Sequence, residues 1–216
     1  MSQDQTDSKL ARSHISAWLA DEGDTRSGAR RGKLYELVVL GELIGGPHHG
    51  YVLREILGKI FGPFRQISWG ALYPLIHRLE RQGLITPEAS NLTSQGKSGQ
   101  RNLYRITPAG HERFQALIAE AVPYSVYDSD YFIAKLGYFD HISLEHQRAI
   151  VQHHRGYLQA VIDYLQTNLQ HVMANQDIPE RERWRIRWVV EFRLSRVQAE
   201  MAWVDTALDR LTSNAG

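Results

Sequence analysis

Ten histidines in a chain of 216 residues without cysteine are the first place to look for chemistry. A metal centre needs ligands converging from one face. His48-His49 and His153-His154 are adjacent pairs that point to opposite sides of a helix, and His141 and His146 are too far out of phase to share one. Neither H-x-x-x-H nor H-E-x-x-H occurs, so no metal is expected. The missing cysteine removes thiolate clusters, disulfides and a thiol nucleophile. No G-x-S-x-G elbow, Walker loop or G-x-G-x-x-G is present, so neither a catalytic site nor a cofactor is expected.

The basic side chains are more informative. The net charge of +1 hides a segregation. Residues 26–113 carry 13 Lys and Arg against 6 Asp and Glu, a net +7, while residues 1–25 and residues 114–216 each sum to −3. A localised basic block is the footprint of a polyanion binder, driven by counterion release. Within it, Ser68, Gly70, Tyr73 and His77 fall along one stretch where hydroxyl, aromatic and imidazole groups can meet phosphates and base edges. Lys97 and Arg101 lie in a polar, Gly-rich spacer, and Arg30 and Arg31 lie in a basic run that could follow the minor groove as an arm.

Elements must position these groups. Residues 1–33 read as a flexible extension ending in a Gly/Arg-rich hinge. From Leu34 the spacing is helical until Gly45-Gly46-Pro47, and a second helix runs to Gly62-Pro63. A third starts after Ser68 as N-cap and stops before Gly83, with Leu72, Leu75, Ile76 and Leu79 on its packed arc. Its other arc holds Gly70, Tyr73, Pro74, His77 and Arg81. Two short β-prone runs flank the spacer of residues 90–100, and Thr107-Pro108 opens another helix. Three helices followed by a basic-tipped hairpin describe a winged helix–turn–helix over residues 34–122, with the third helix facing a major groove.

Residues 123–216 read as an α-helical dimerisation domain. Leu144, Val151, Leu158, Leu165 and Val172 recur every seven residues, and Asp177-Ile178-Pro179-Glu180 has the pattern of a capping box. Val190, Leu194, Val197, Met201, Val204, Leu208 and Leu211 follow with coiled-coil spacing. Trp184, Trp188 and Phe192 form a second stripe, which an intramolecular hairpin leaves uncovered and a second copy of the chain would cover. The fold class is therefore mainly α with a small β-hairpin wing.

The strings GPHHGY at residues 46–51, LYPLIHRLE at residues 72–80, GLI at residues 83–85 and YRITPAG at residues 104–110 resemble the PadR family of transcriptional regulators. The resemblance is strong over about a third of the chain and matches the helical C-terminal half only in kind. It implies a dimeric, usually repressing, winged-helix protein, some members of which leave DNA on binding a small aromatic or drug-like effector. Residues 1–33 have no counterpart in that pattern.

These observations lead to a set of expectations. The protein is a homodimeric repressor of double-stranded DNA with a two-fold related operator, contacted through Ser68, Gly70, Tyr73, His77, Lys97, Arg101, Arg30 and Arg31. Leu194, Val197, Met201, Val204, Leu208, Leu211, Trp188 and Phe192 hold the dimer. A small effector meets Tyr127, Tyr131, Phe132 and His154, with Arg148 or Arg155 facing any carboxylate it carries. No apolar run is long enough for a membrane span and no secretion signal opens the chain, which points to the cytoplasm. A helical adaptor that binds protein rather than DNA is the other reading of the same elements.

Overall fold

A computed structural model describes residues 25–61, 67–88, 102–121 and 128–213, with the side chains of residues 25–28 left aside. Helix α1 (Thr25–Ile44) leads into strand β1 (His48–His49), α2 (Gly50–Phe61) and α3 (Trp69–Arg81). Strands β2 (Ile85–Glu88) and β3 (Leu103–Ile106) precede α4 (Pro108–Ala119) and α5 (Asp128–Leu136). A 3-10 turn (Phe139–His141) then introduces two long helices, α6 (Leu144–Ala174) and α7 (Glu180–Ser213). The fold is the expected one: mainly helical, with a three-stranded antiparallel sheet in the order β1-β3-β2. Among the described residues no helix is long and apolar enough to cross a membrane.

Helix α1 is the centre of the DNA-binding half. Leu34, Leu37, Val38, Val39, Leu40 and Leu43 are all buried, so the helix is apolar nearly all round and is enclosed by α2, α3, α4, α5 and β3. One acid sits in this apolar surface. Glu36, 7 % exposed, accepts from Arg113 Nε at 2.6 Å and from Arg78 Nη2 at 3.1 Å. A lone buried carboxylate would be costly, but two guanidinium groups on α3 and α4 satisfy it and fix both helices against α1.

The helix begins at Thr25, so the basic run of residues 28–33, expected as a flexible hinge, is helical and continuous with the core helix. Tertiary contacts hold it there. Lys33 pairs with Glu120 at 2.8 Å, and the Tyr131 hydroxyl donates to the Arg30 carbonyl at 2.7 Å.

Both ends of α3 carry the expected signals. Ser68 is the N-cap in extended conformation, although its side chain makes no capping hydrogen bond. Gly83 has φ +69°, and hydrogen bonds from Gly83 N to Glu80 O and from Leu84 N to Leu79 O close a Schellman motif. Thr107 caps α4 by accepting from Gly110 N, with Pro108 following. The wing's strands pair Ile85 with Ile106 and Glu88 with Leu103, and Arg105 bridges back to Glu88 at 3.1 Å.

Helices α6 and α7 form the expected antiparallel hairpin. Val151, Leu158, Leu165 and Val172 are buried on α6. On α7 the seam is buried at Val190 and Val204 and half-buried at Leu194, Val197, Met201, Leu208 and Leu211. That seam faces α6 of the same chain, where it was expected to join two protomers. Arg148 donates to the Leu211 carbonyl at 2.7 Å, and Arg155 pairs with Asp205 at 2.7 Å. Both arginines assigned to an effector carboxylate are thus committed to the hairpin. The capping box also shifts: α7 starts at Glu180, with Pro179 O accepting from Glu182 N and Arg183 N, while Asp177 N donates to the Asn175 side chain.

Candidate nucleic-acid interface and effector cavity

The outward stripe of α3 is built by helical phase. Gly70, Pro74, His77 and Arg81 recur at intervals of four, three and four residues, and all are exposed, as are Ser68 and Ala71 beside them. Pro74 sits within the helix but near its first turns, where the missing N–H costs least. The result is a small, basic ridge, with Glu80 3.6 Å from His77 Nδ1. The turn into α3 is fixed by Arg54, which donates to the Ile67 carbonyl at 3.0 Å and lies 5.0 Å over the Trp69 ring.

Tyr73 is placed differently from the expectation that it meets DNA. Its ring stacks between Trp69 and His77, and its hydroxyl is buried without a hydrogen-bond partner, with burial raising its pKa. It supports the ridge from behind. Arg81 takes its place on the exposed stripe, and the signal was its position four residues after His77. Arg30 and Arg31 lie on α1 rather than on an extended arm. Lys97 and Arg101 fall outside the described residues.

The second cluster lies where the DNA-binding half joins the hairpin. Two contacts bolt the halves together. The Tyr138 ring lies where a Cβ on Gly41 would fall, 2.6 Å from its Cζ, and its hydroxyl donates to Glu42 Oε1 at 2.9 Å. Lys135 Nζ donates to the Glu120 carbonyl at 2.7 Å, and burial pushes that ammonium down to about 8. Beside them a cavity of about 70 Å³ opens between α4, α5 and α6. Tyr131, Phe132 and His154 line it, as expected; Tyr127 falls outside the described residues. Burial raises the Tyr131 hydroxyl to about 12.

His154 is 1 % exposed and is bridged at both ring nitrogens: Nδ1 lies 3.0 Å from Asp128 Oδ1, and Nε2 lies 2.8 Å from Glu200 Oε1. Both partners are acceptors, so the ring is an imidazolium donating twice. Desolvation lowers its pKa, but the bonds to Asp128 and Glu200 outweigh that and the net shift is upward. Glu200 is lowered, chiefly by the same bond. Phe132 stacks on the imidazolium at 3.9 Å. His154 therefore ties α5, α6 and α7 together.

The pH dependence follows from these directions. A raised histidine contributes fully below its ordinary 6.5 and loses that contribution as pH climbs through the raised value. The lowered Glu200 contributes fully above its ordinary 4.5 and loses it as pH falls through the lowered value. The bridge should thus be strongest between pH 4.5 and 6.5. Thermal melts should show stability declining as pH rises above that window. His154→Gln should flatten that decline; an unchanged slope would assign it to another group.

A three-helix unit with a short sheet, a basic exposed ridge on its third helix and a helical hairpin behind it defines a winged helix–turn–helix protein. Residues 37–116 match the transcriptional regulator PadR-like family. That unit is a PadR-like domain, of the kind found in DNA-binding transcriptional regulators. Among solved structures, the chain is similar to Bacillus subtilis PadR in complex with operator DNA, at 20 % identity and TM-score 0.37, covering 82 % of this chain and 98 % of that one. Bacillus subtilis PadR in complex with p-coumaric acid is similar at 18 % identity and TM-score 0.36, over 84 % and 97 % of the two chains. A transcriptional regulator from Clostridium thermocellum is 28 % identical with TM-score 0.33, over 42 % and 81 %. No curated protein matches the chain.

Proposed function

We propose that the protein is a homodimeric, sequence-specific repressor that binds a two-fold related operator in the cytoplasm and is released by a small effector. Residues 34–122 bind DNA in this reading, and residues 123–216 dimerise and receive the effector. The exposed ridge of Gly70, Pro74, His77 and Arg81 on α3 is the observation that supports it most directly, because a flat basic stripe with small side chains suits close approach to a groove. Ser68 contributes at the helix N-terminus, where free N–H groups favour phosphate. Lys97 and Arg101 meet the backbone from the wing, and Arg30 and Arg31 meet flanking phosphates from α1. Selection of bound fragments from a random duplex pool tests the reading. Replacing Lys97 and Arg101 together with Ala should weaken binding to every sequence about equally and reduce the salt slope by about two. A chain that selects no duplex would leave the protein-binding adaptor as the better account.

The dimer is supported by what the hairpin leaves uncovered. Trp188 and Phe192 are 62 % and 64 % exposed, and Trp184 and Val189 lie beside them on α7. An apolar face of this kind is costly in water and is the usual core of an obligate interface. The seam residues Leu194, Val197, Met201, Val204, Leu208 and Leu211 then act indirectly, by holding α7 on α6 so that the aromatic face is presented. Trp188→Glu combined with Phe192→Glu should yield a folded monomer in sedimentation velocity, with duplex affinity reduced about 100-fold through loss of the second half-site. A double variant that stays dimeric would move the interface elsewhere.

Effector release is supported by the position of the cavity. It is walled by α4, α5 and α6; α5 carries Tyr131 and is followed directly by Tyr138, and both side chains grip α1. A ligand that displaces α5 shifts the DNA-binding half relative to the hairpin and hence the spacing of the two α3 ridges. Such a ligand acts by binding one spacing better than the other.

A further inference from the structure

One atom of the cavity wall is left over from every interaction described so far. Asp128 is 3 % exposed on its side chain; Oδ1 is taken by His154, while Oδ2 is buried with no hydrogen-bond partner. His153 Nε2 stands 3.8 Å from it, beyond hydrogen-bond length. A buried acceptor left unsatisfied costs about 1–3 kcal/mol, more for a charged group, and such atoms mark places where a donor belongs.

Neither His154 nor Lys135 supplies that donor. His154 spends both N–H groups on Asp128 Oδ1 and Glu200. The Lys135 ammonium is turned to the Glu120 carbonyl, and the Glu120 carboxylate is paired with Lys33. A carboxylate ligand would therefore find Lys135 and His154 engaged and Asp128 beside it. The rest of the wall includes the rings of Tyr131 and Phe132 with Ile150, Ala119 and Ala149. Aromatic faces next to a desolvated carboxylate oxygen favour a positively charged donor, which gains both the charge-assisted hydrogen bond and the cation–π attraction. The cavity's 70 Å³ is about two water volumes, enough for the head of such a ligand.

We infer that this cavity takes the ammonium head of a small amine with an apolar or aromatic body, and that Asp128 Oδ2 is its anchor. The inference rests on the small-effector reading above and specifies its chemistry. The ammonium donates one N–H to Oδ2, and the body lies against Tyr131 and Phe132.

Three ring compounds of one size separate the alternatives: benzylamine, benzyl alcohol and benzoate, each titrated into the full-length protein by calorimetry at pH 7. Benzylamine should bind at least tenfold tighter than either of the others. Asp128→Asn keeps an oxygen for His154 and replaces the anchoring oxygen by an N–H₂ group, so benzylamine should weaken at least tenfold while benzoate holds or improves. Far-UV circular dichroism and duplex binding confirm that this variant is folded. Equal binding of alcohol and amine, tighter binding of benzoate, or an unchanged amine affinity in Asp128→Asn would overturn the inference and leave the effector reading standing. If none of the three binds or alters duplex affinity, both fall together. Tyr131→Phe, which spares the anchor, should leave the amine preference over benzoate intact.

Discussion

Replacing Gly70 with glutamate is expected to weaken operator binding severely while leaving the protein at least as stable as before. Gly70 is the second residue of α3, it is exposed, and a Cβ built on it meets only Ser68 Oγ at an ordinary 3.7 Å. Its φ is not positive, so a side chain brings no backbone strain. Glycine within a helix costs about 1 kcal/mol relative to good helix formers, and α3 has no acid in its first turn to meet the positive end of the helix. Glutamate therefore improves the isolated fold by up to about 1 kcal/mol. Against DNA the signs reverse. The same carboxylate meets phosphates where the ridge should approach most closely, and like-charge juxtaposition at an interface costs several kcal/mol. We expect a loss of at least about 100-fold in duplex affinity, ~2.7 kcal/mol, measured by fluorescence anisotropy at fixed salt. Gly70→Ala should fall between, because it removes close approach without adding charge. Thermal melts of the same samples keep the outcome clear: a stable Gly70→Glu protein that binds as the parent does would show that this face of α3 does not enter the groove.

How much of this was legible beforehand depends on where the determining contacts lie along the chain. Helix α3 was readable at both ends because its stop signal is local: Gly83 supplies the left-handed residue and Leu84 closes the motif. The α6–α7 hairpin was readable because its seam repeats with a fixed period, so burial at Val151, Leu158, Leu165, Val190 and Val204 follows from spacing alone. The start of α1 was not. Residues 28–33 contain two glycines and three basic residues, a loop-like composition, and they are helical through partners such as Glu120 and Tyr131 about 90 to 100 residues away. Glu36 and His154 follow the same logic. Each is a polar residue inside an apolar stripe, and its role appears only when Arg78 and Arg113, or Asp128 and Glu200, arrive from other helices. The ridge was half legible: helical phase gave Gly70 and His77 together with Arg81, while chemistry alone promoted Tyr73, whose hydroxyl the packing turns inward. Periodic and terminal features are written locally, whereas charge compensation is written in pairs that only the fold brings together.

One substitution made at two glycines should move stability in opposite directions. At Gly110, in the first turn of α4, an added Cβ would lie 2.1 Å from the Leu84 carbonyl oxygen and 2.7 Å from Ile106 Cγ1. Neither side can yield cheaply. The Leu84 oxygen accepts from Thr107 N at 3.0 Å and Thr107 Oγ1 at 3.1 Å, and Gly110 N itself donates to Thr107 Oγ1 at 3.1 Å. These bonds clamp the start of α4 to the base of the wing, so Gly110→Ala must break the cap or separate β2 from β3. Overpacking of a pinned site costs about 3 kcal/mol, which for a chain of this size lowers the melting temperature by roughly 10 °C. Because the wing's base moves with the cap, duplex affinity should fall as well, even below the melting range. Gly58 in α2 is the counterpart: no atom lies within 4 Å of a Cβ built there, and its φ is ordinary. Gly58→Ala should therefore raise stability by up to about 1 kcal/mol through helix propensity and leave duplex binding unchanged. If Gly110→Ala melts with the parent, the Thr107 clamp does not hold the wing, and the geometry of the α3 ridge must be maintained by Glu36 and its two arginines alone.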